Sequence, residues 1–239
     1  MAQQLAQLPE SARRRLDELK ASLIGVLGDE LEALLVYGSA ARGGYRQGQS
    51  DVDVLAVLRS DPRALLEAIG PALQLARFSA RIEVMLVTSA EVPHAADVFP
   101  LLYADIARAS VCIHGKSPFE GLTIDPHHLR VRIEQELREA RIRLRRVATD
   151  LARGPIFAGA VERKIKQVRA PLHAWLELRF GPSDDHLPAV LDAAGKAYGV
   201  DVAPLHRSCE DAEAAFESLV RLLDAVLREV NAHHTTEEI

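Results

Sequence analysis

The stretch Val36-Tyr-Gly-Ser-Ala-Ala-Arg-Gly-Gly-Tyr-Arg-Gln-Gly-Gln-Ser-Asp-Val-Asp-Val-Leu-Ala-Val57 decides the fold. It opens on the end of a short apolar run, Leu34-Leu-Val-Tyr37, which Gly38-Ser39 cuts off as a turn cuts off a buried strand. Ala40-Ala41-Arg42 can then start a helix, whose first backbone N–H groups stabilise an anion. Ser39 adds a hydroxyl donor, and Gly38 lets a phosphate approach the backbone closely. After a loop from Gly43 to Ser50 comes Asp51-Val-Asp-Val-Leu-Ala-Val-Leu58, polar at its start and apolar beyond, as in a strand with one end at a functional site. Residues two apart in a strand share a face. Asp51 and Asp53 therefore set two carboxylates side by side, an arrangement poorly tolerated without a cation. Oxygen ligands of this kind suit Mg²⁺ held together with substrate phosphates.

Outward from this stretch, Arg81-Ile-Glu-Val-Met-Leu-Val87 reads as a further strand that carries an acid, Glu83, in an apolar run. Buried acids are rare unless paired or metal-bound. Glu91 and Asp97 are alternatives for a third carboxylate, but they lie beyond the run, near Pro93 and Pro100, where loops are expected. The carboxylates of Asp51, Asp53 and Glu83 are expected to converge from adjacent strands, with Ser39 at a helix N-terminus facing them. A phosphate-binding turn with three strand carboxylates has the parts that two-metal phosphoryl-type transfer requires.

The remaining periodicity predicts a helix over 9–28, with Ala12, Leu16, Leu19, Leu23 and Val26 inward, and a second over 62–77, begun by Asp61-Pro62. A third helix is expected over 94–110 and a short strand over 110–114. Composition shifts at Gly115-Lys-Ser-Pro-Phe-Glu-Gly121, which places a boundary within 115–127 and divides the chain into 1–118 and 119–239. Beyond it the pattern is helical: Pro126 to Arg153 with Ile133, Leu137, Ala140, Leu144, Val147 and Leu151 on one stripe; 161–180; and 208–230 with Phe216, Leu219, Leu223, Val226 and Val230.

Composition removes several function classes. The 239 residues are 48% hydrophobic and 26% charged, with a mean hydropathy of -0.01, values of an ordinary globular chain. No apolar run approaches the ~18 residues of a membrane span, and Met-Ala-Gln-Gln does not begin a signal peptide. Cys112 and Cys209, far apart, read as reduced thiols of a cytoplasmic protein. A net charge of -5 argues against nucleic acid as a general partner.

Gly38-Ser39, eleven intervening residues and Asp51-Val-Asp53 together resemble the signature of the polymerase-β-type nucleotidyltransferase superfamily. The longer pattern, Gly38-Ser-Ala-Ala-Arg-Gly43 with Ser50-Asp-Val-Asp53, is most similar to its minimal nucleotidyltransferase branch, which includes antitoxin-type and streptomycin/spectinomycin adenylyltransferases. Glu83 matches the third acidic position. The resemblance implies an α+β chain: a nucleotidyltransferase fold, a mixed β-sheet flanked by helices, followed by an all-α helical bundle that binds the acceptor, with the active site in the cleft between them. It implies that a nucleoside monophosphate, AMP from ATP, moves to a hydroxyl with release of pyrophosphate. Asp51, Asp53 and Glu83 would be catalytic and would hold Mg²⁺, two ions in all. Glu83 would also serve as general base, and Gly38, Ser39 and Arg42 would bind the nucleotide. Arg46, on the loop, is a weaker candidate for phosphate contact. The acceptor is a small hydroxyl compound such as an aminoglycoside, or a protein side chain as in adenylylating antitoxins. A non-catalytic NTP-binding module is the alternative of another class.

Two features stand outside this reading. Residues 130–169 hold 12 basic and 5 acidic side chains, between acidic flanks, and 130–146 alone hold seven arginines. This run is either a solvated helix face, laced by the pairs Glu134–Arg138 and Glu139–Arg143, or a wall that attracts ATP or a polyanion. It has no interleaved aromatic residues to stack bases. Arg179 and His186 have a spacing reminiscent of HEPN-type ribonucleases, but Gly181-Pro182 would keep them off one helix. The histidine pairs His127-His128 and His233-His234 read as surface, and no zinc pattern emerges.

Overall fold

The computed structural model describes residues 5–48, 50–150 and 155–233. The sequence readings on residues 1–4, on 151–153 and on His234 lie outside the described residues. The chain forms two compact units, one ending at Ile124 and one starting at Asp125. The first unit runs past the composition shift because Phe119 is buried edge-on against Tyr103, ring centroids 5.1 Å apart, with Leu122 and Ile124 packed on the same cluster. Apolar burial outweighs the local look of a linker.

The first unit is built from α1 (Glu10–Leu27), a 3₁₀ turn, β1 (Leu31–Tyr37), α2 (Gly38–Arg42), β2 (Val52–Leu58), α3 (Arg63–Ala80), β3 (Ile82–Thr88), α4 (Glu91–Ala95), α5 (Pro100–Arg108) and β4 (Val111–Gly115). The sheet order is β3-β2-β1-β4. β2 and β3 are parallel, joined through α3, while β1 is antiparallel to both β2 and β4. This is a mixed sheet flanked by helices.

Alternation along the strands sorts two cores. Leu34, Val36, Val54, Ala56, Leu58 and Ile82 pack with Leu16, Leu19 and Leu23 of α1 and Ile69 and Ala76 of α3. Ala33, Leu35, Leu55 and Val57 pack on the other face with Val92, Tyr103 and Ile106 of α4 and α5. Each fully buried leucine contributes about 1.5–3 kcal/mol.

Local chemistry corrects several boundaries. Leu27, four residues after Leu23, takes the inward place expected of Val26, which is 46% exposed. Asp61 does not cap α3; Pro62 stands at the cap, and its carbonyl accepts from Leu65 and Leu66. The single helix expected over 94–110 is two, since Pro100 cannot donate inside a helix and instead starts α5. Arg81 is the αL cap of α3 at φ 54, one residue before β3.

Gly115 closes β4 at φ +68, and a Cβ there would stand 1.9 Å from the backbone oxygen of Glu32. Backbone cannot yield as a side chain can. Gly115→Ala is expected to cost about 2–3 kcal/mol, read as a lower midpoint in urea unfolding.

The regular elements among the described residues of the second unit are helices: α6 (Pro126–Asp150), α7 (Pro155–Gln167), α8 (Arg169–Phe180), α9 (Leu187–Tyr198), α10 (Ala203–His206) and α11 (Ala212–Ala232). Ile133, Leu137, Ala140 and Leu144 of α6 are buried, as are Leu219, Leu223, Val226 and Val230 of α11, and the two helices pack together. The helix expected over 161–180 breaks at Val168, which puts Pro171 in a first turn where its missing N–H costs nothing. α11 begins at 212, capped by the Asp211 carboxylate, which accepts from the Ala214 N–H at 2.9 Å. Trp175, fully buried, donates from Nε1 to the Tyr198 hydroxyl at 2.6 Å; that hydroxyl donates to Glu229, which also holds Arg179 at 2.9 Å. Burial and the Glu229 bond push the Tyr198 hydroxyl pKa up.

Candidate active site

Strand register assembles the acidic residues. Asp53 lies directly opposite Tyr37 across the β1–β2 ladder and opposite Glu83 across the β2–β3 ladder. All three lie on the sheet face of Leu35, Leu55 and Met85, the face that α5 covers. Asp51 precedes β2 by one residue. Asp53 thus comes from the inner strand, and Glu83 from β3, the open edge of the sheet.

α2 turns directly off the end of β1. Gly38 adopts φ +69, and a Cβ on it would stand 2.2 Å from Asp53 Oδ2, so only glycine lets this turn pass the carboxylate. α2 has five residues, which makes its contribution to anion binding one of local N–H groups more than of a long dipole. The Gln7 side chain anchors it by donating to the Ala40 carbonyl at 3.1 Å.

The charges around Asp53 explain its titration. Burial is the largest cause, then the carboxylates of Asp51, Glu83 and Asp105 against the relief from Arg42, and its pKa is pushed up to about 6. Burial, Asp53 and Asp105 push the Tyr37 hydroxyl up to about 12. Asp53 and Glu83 share a sheet face on adjacent strands and Asp51 lies just before β2, but the three are not drawn to metal-ligand spacing. Asp51 is ion-paired to Arg81 at 2.7 Å and Glu83 to Arg77 at 2.9 Å, with both carboxylates roughly half exposed. Mutual repulsion sends each outer carboxylate to the nearest guanidinium and leaves Asp53 as the inner charge. A hard-oxygen donor set with excess negative charge fits a divalent cation such as Mg²⁺.

Arg42 is ion-paired with Asp105 of α5, each 13% exposed, and Asp105 also holds Arg108. Sequence reading missed Asp105. The available signal was weak: an acid beside the inward stripe Tyr103–Ile106 of an amphipathic helix. Asp105→Asn removes a negative charge from the site and is expected to lower the pKa of Asp53, measured by carboxyl NMR titration of the metal-free protein. An unchanged value would assign the shift to burial and the other carboxylates.

Glu91 accepts from the Thr88 N–H and hydroxyl at 2.7 and 2.9 Å at the start of α4. Those bonds hold its carboxylate pKa low. Asp97 and Arg46 are exposed. Among the described residues, Asp184, Asp185 and His186 each bring a ligand atom within 4.8 Å of the others. Internal bonding accounts for that group: His186 is 2.7 Å from Asp184, and Asp185 faces Arg169 at 3.7 Å. Arg179, on α8 and bound to Glu229 of α11, and His186, in the loop after Gly181-Pro182, are not on one helix.

A mixed sheet that carries paired acids beside a strand-to-helix glycine turn defines a nucleotidyl-transfer fold. Residues 26–108, from the end of α1 to the end of α5, match the family model described as a nucleotidyltransferase domain. That match covers 83 of the 239 residues, all within the first unit. Among solved structures the chain is similar to the spectinomycin adenyltransferase AAD(9) from Enterococcus faecialis, crystallised with ATP and spectinomycin. The two are 13% identical, with a TM-score of 0.55 over 92% of this chain and 99% of that one. At that identity the likeness carries the fold alone. No curated protein matches the chain at a significant level. Among the described residues, no helix is long and apolar enough to cross a membrane.

Proposed function

We propose that the protein transfers AMP from ATP to a hydroxyl of a small polyhydroxylated, cationic acceptor and releases pyrophosphate. The observation that carries this reading is the contact of the Gly38 turn with Asp53, itself in register with Glu83. It supports a phosphate-binding role for the Gly38 turn beside the carboxylates that would hold Mg²⁺, namely Asp51, Asp53 and Glu83. Bound there, Mg²⁺ would neutralise phosphate charge and acidify the attacking hydroxyl. Gly38, Ser39 and Arg42 bind the β- and γ-phosphates. Glu83, half exposed on the edge strand, takes the acceptor's proton as its oxygen bonds to the α-phosphorus and the bond from that phosphorus to the pyrophosphate oxygen breaks. The helical unit recognises the acceptor. Residues 183–239 carry 4 basic and 12 acidic side chains, a charge that suits a polycation. The match to a solved enzyme crystallised with ATP and spectinomycin supports the choice of donor and acceptor class.

The test is pyrophosphate release from ATP and Mg²⁺ with spectinomycin and a panel of aminoglycosides, with mass spectrometry of products. An acceptor heavier by one AMP, formed only with Mg²⁺, is the expected result. AMP found on a protein instead would assign the antitoxin-type reaction. ATP binding with no transfer to any acceptor would leave a non-catalytic module.

A further inference from the structure

We propose that the helical unit carries a second ligand site, a groove between α6 and α11 that binds a small organic phosphate. The arginine run is where the argument starts. Away from the groove its arginines are paired within the helix: Arg132 with Glu136 at 2.7 Å and Arg143 with Glu139, as on a solvated face, and Arg130, which is buried, with Glu134 at 3.0 Å. The side toward α11 differs. Arg138, Arg141 and Arg145 recur there at helical spacing, opposite Asp224, Leu227, Arg228 and Asn231, around a groove of about 290 Å³.

Among the described residues, four guanidinium groups line this groove against a single carboxylate. Asp224 stands four residues before Arg228 and could pair with it along α11. It is turned across the groove to Arg141, Nε at 2.8 Å and Nη2 at 3.2 Å. Arg138 is fixed by Asn231 at 2.6 Å and Glu134 at 2.7 Å. Two guanidiniums are thus held in place, while Arg145 and Arg228 have no hydrogen-bond or ion-pair partner among the described residues. Like charges gathered without counter-charge destabilise one another, and an anion between them relieves this. Planar guanidinium forks match phosphate oxygens in bidentate pairs, better than they match a spherical ion. Ile142, 58% exposed, and Leu227 give the groove an apolar floor for an organic part. The volume lies at the lower end of small-molecule sites. Among the described residues, no aromatic ring lines it to stack the bases of a strand.

The test uses the full chain in EDTA, titrated calorimetrically with AMP and with inorganic phosphate. AMP is expected to bind, several-fold tighter than phosphate, with an affinity that falls as salt rises. In the double variant R145Q/R228Q the AMP affinity is expected to drop at least tenfold, whereas D51N keeps it. Both arginines are exposed and their mutual repulsion is relieved in the double variant, so it should melt no lower than the parent. No binding to the parent chain, or undiminished binding to the double variant, would overturn the proposal. Loss in D51N alone would move the ligand to the carboxylate site and equally overturn it. Equal affinity for AMP and phosphate would overturn the organic part.

Discussion

Asp53→Asn is expected to reduce transfer at least a thousandfold, about 4 kcal/mol of transition-state stabilisation, while making the metal-free protein more stable at neutral pH. Both effects come from one position. Asp53 is the inner member of the acidic set, and its charge is the one that burial and three neighbouring carboxylates oppose. Its pKa rises on folding from 3.8 to about 6. The folded state therefore favours the neutral acid. The resulting stability is fully present below the unfolded pKa and is lost as pH rises through the folded one. At pH 7 the ionised carboxylate burdens the fold by roughly 2 kcal/mol after allowance for water at the site. Asparagine keeps the shape and drops the charge. Urea unfolding at pH 4.5 and 7.5 checks this: the parent should lose stability across the interval, and the variant should lose less. Lower stability of the variant at pH 7.5 would make Asp53 a structural residue.

Gly38→Ala is expected to lower the transfer rate about a hundredfold. The new methyl group would overlap Asp53 Oδ2, and the carboxylate, as the movable partner, would swing out of register with Glu83. Displacement of a reacting group by about an ångström costs on this order. The positive φ adds about 1–2 kcal/mol of backbone strain. Gly48 separates the two effects. It has φ +78 with nothing within 4 Å of a built Cβ. Gly48→Ala should pay the same strain with near-parental activity. Comparable losses of activity in both variants would show that strain, and not the encounter with Asp53, is responsible.

The acidic constellation was legible because it lies within strands and their ends, where a period of two fixes the face. Asp53 and Glu83 needed only the correct pairing of β2 with β3. Asp105 was not legible: it reaches the site from α5, and no local pattern says which strand a helix will cover. The pairing of Asp51 with Arg81 and Glu83 with Arg77 was hidden for a related reason, since Arg81 reads as a strand residue until the αL cap of α3 is known. α9 was missed although it has the proline start and glycine stop of a helix, Pro188 and Gly199. Its 12 residues, Leu187–Tyr198, follow the irregular Gly181–His186 segment.

The pairing of Tyr37 with Asp53 makes the whole connection between β1 and β2 a closed excursion that leaves and returns to one rung of the ladder. Both ends are set by the sheet, so the length of the segment after Arg42 does not set the distance between the glycine turn and the acids. Each doubling of such a loop costs only about 0.6 kcal/mol in closure entropy. A short peptide or reporter inserted between Gly43 and Gly48 should therefore leave the rung intact, which makes this the place where the domain can be lengthened, tagged or diversified without moving its charges.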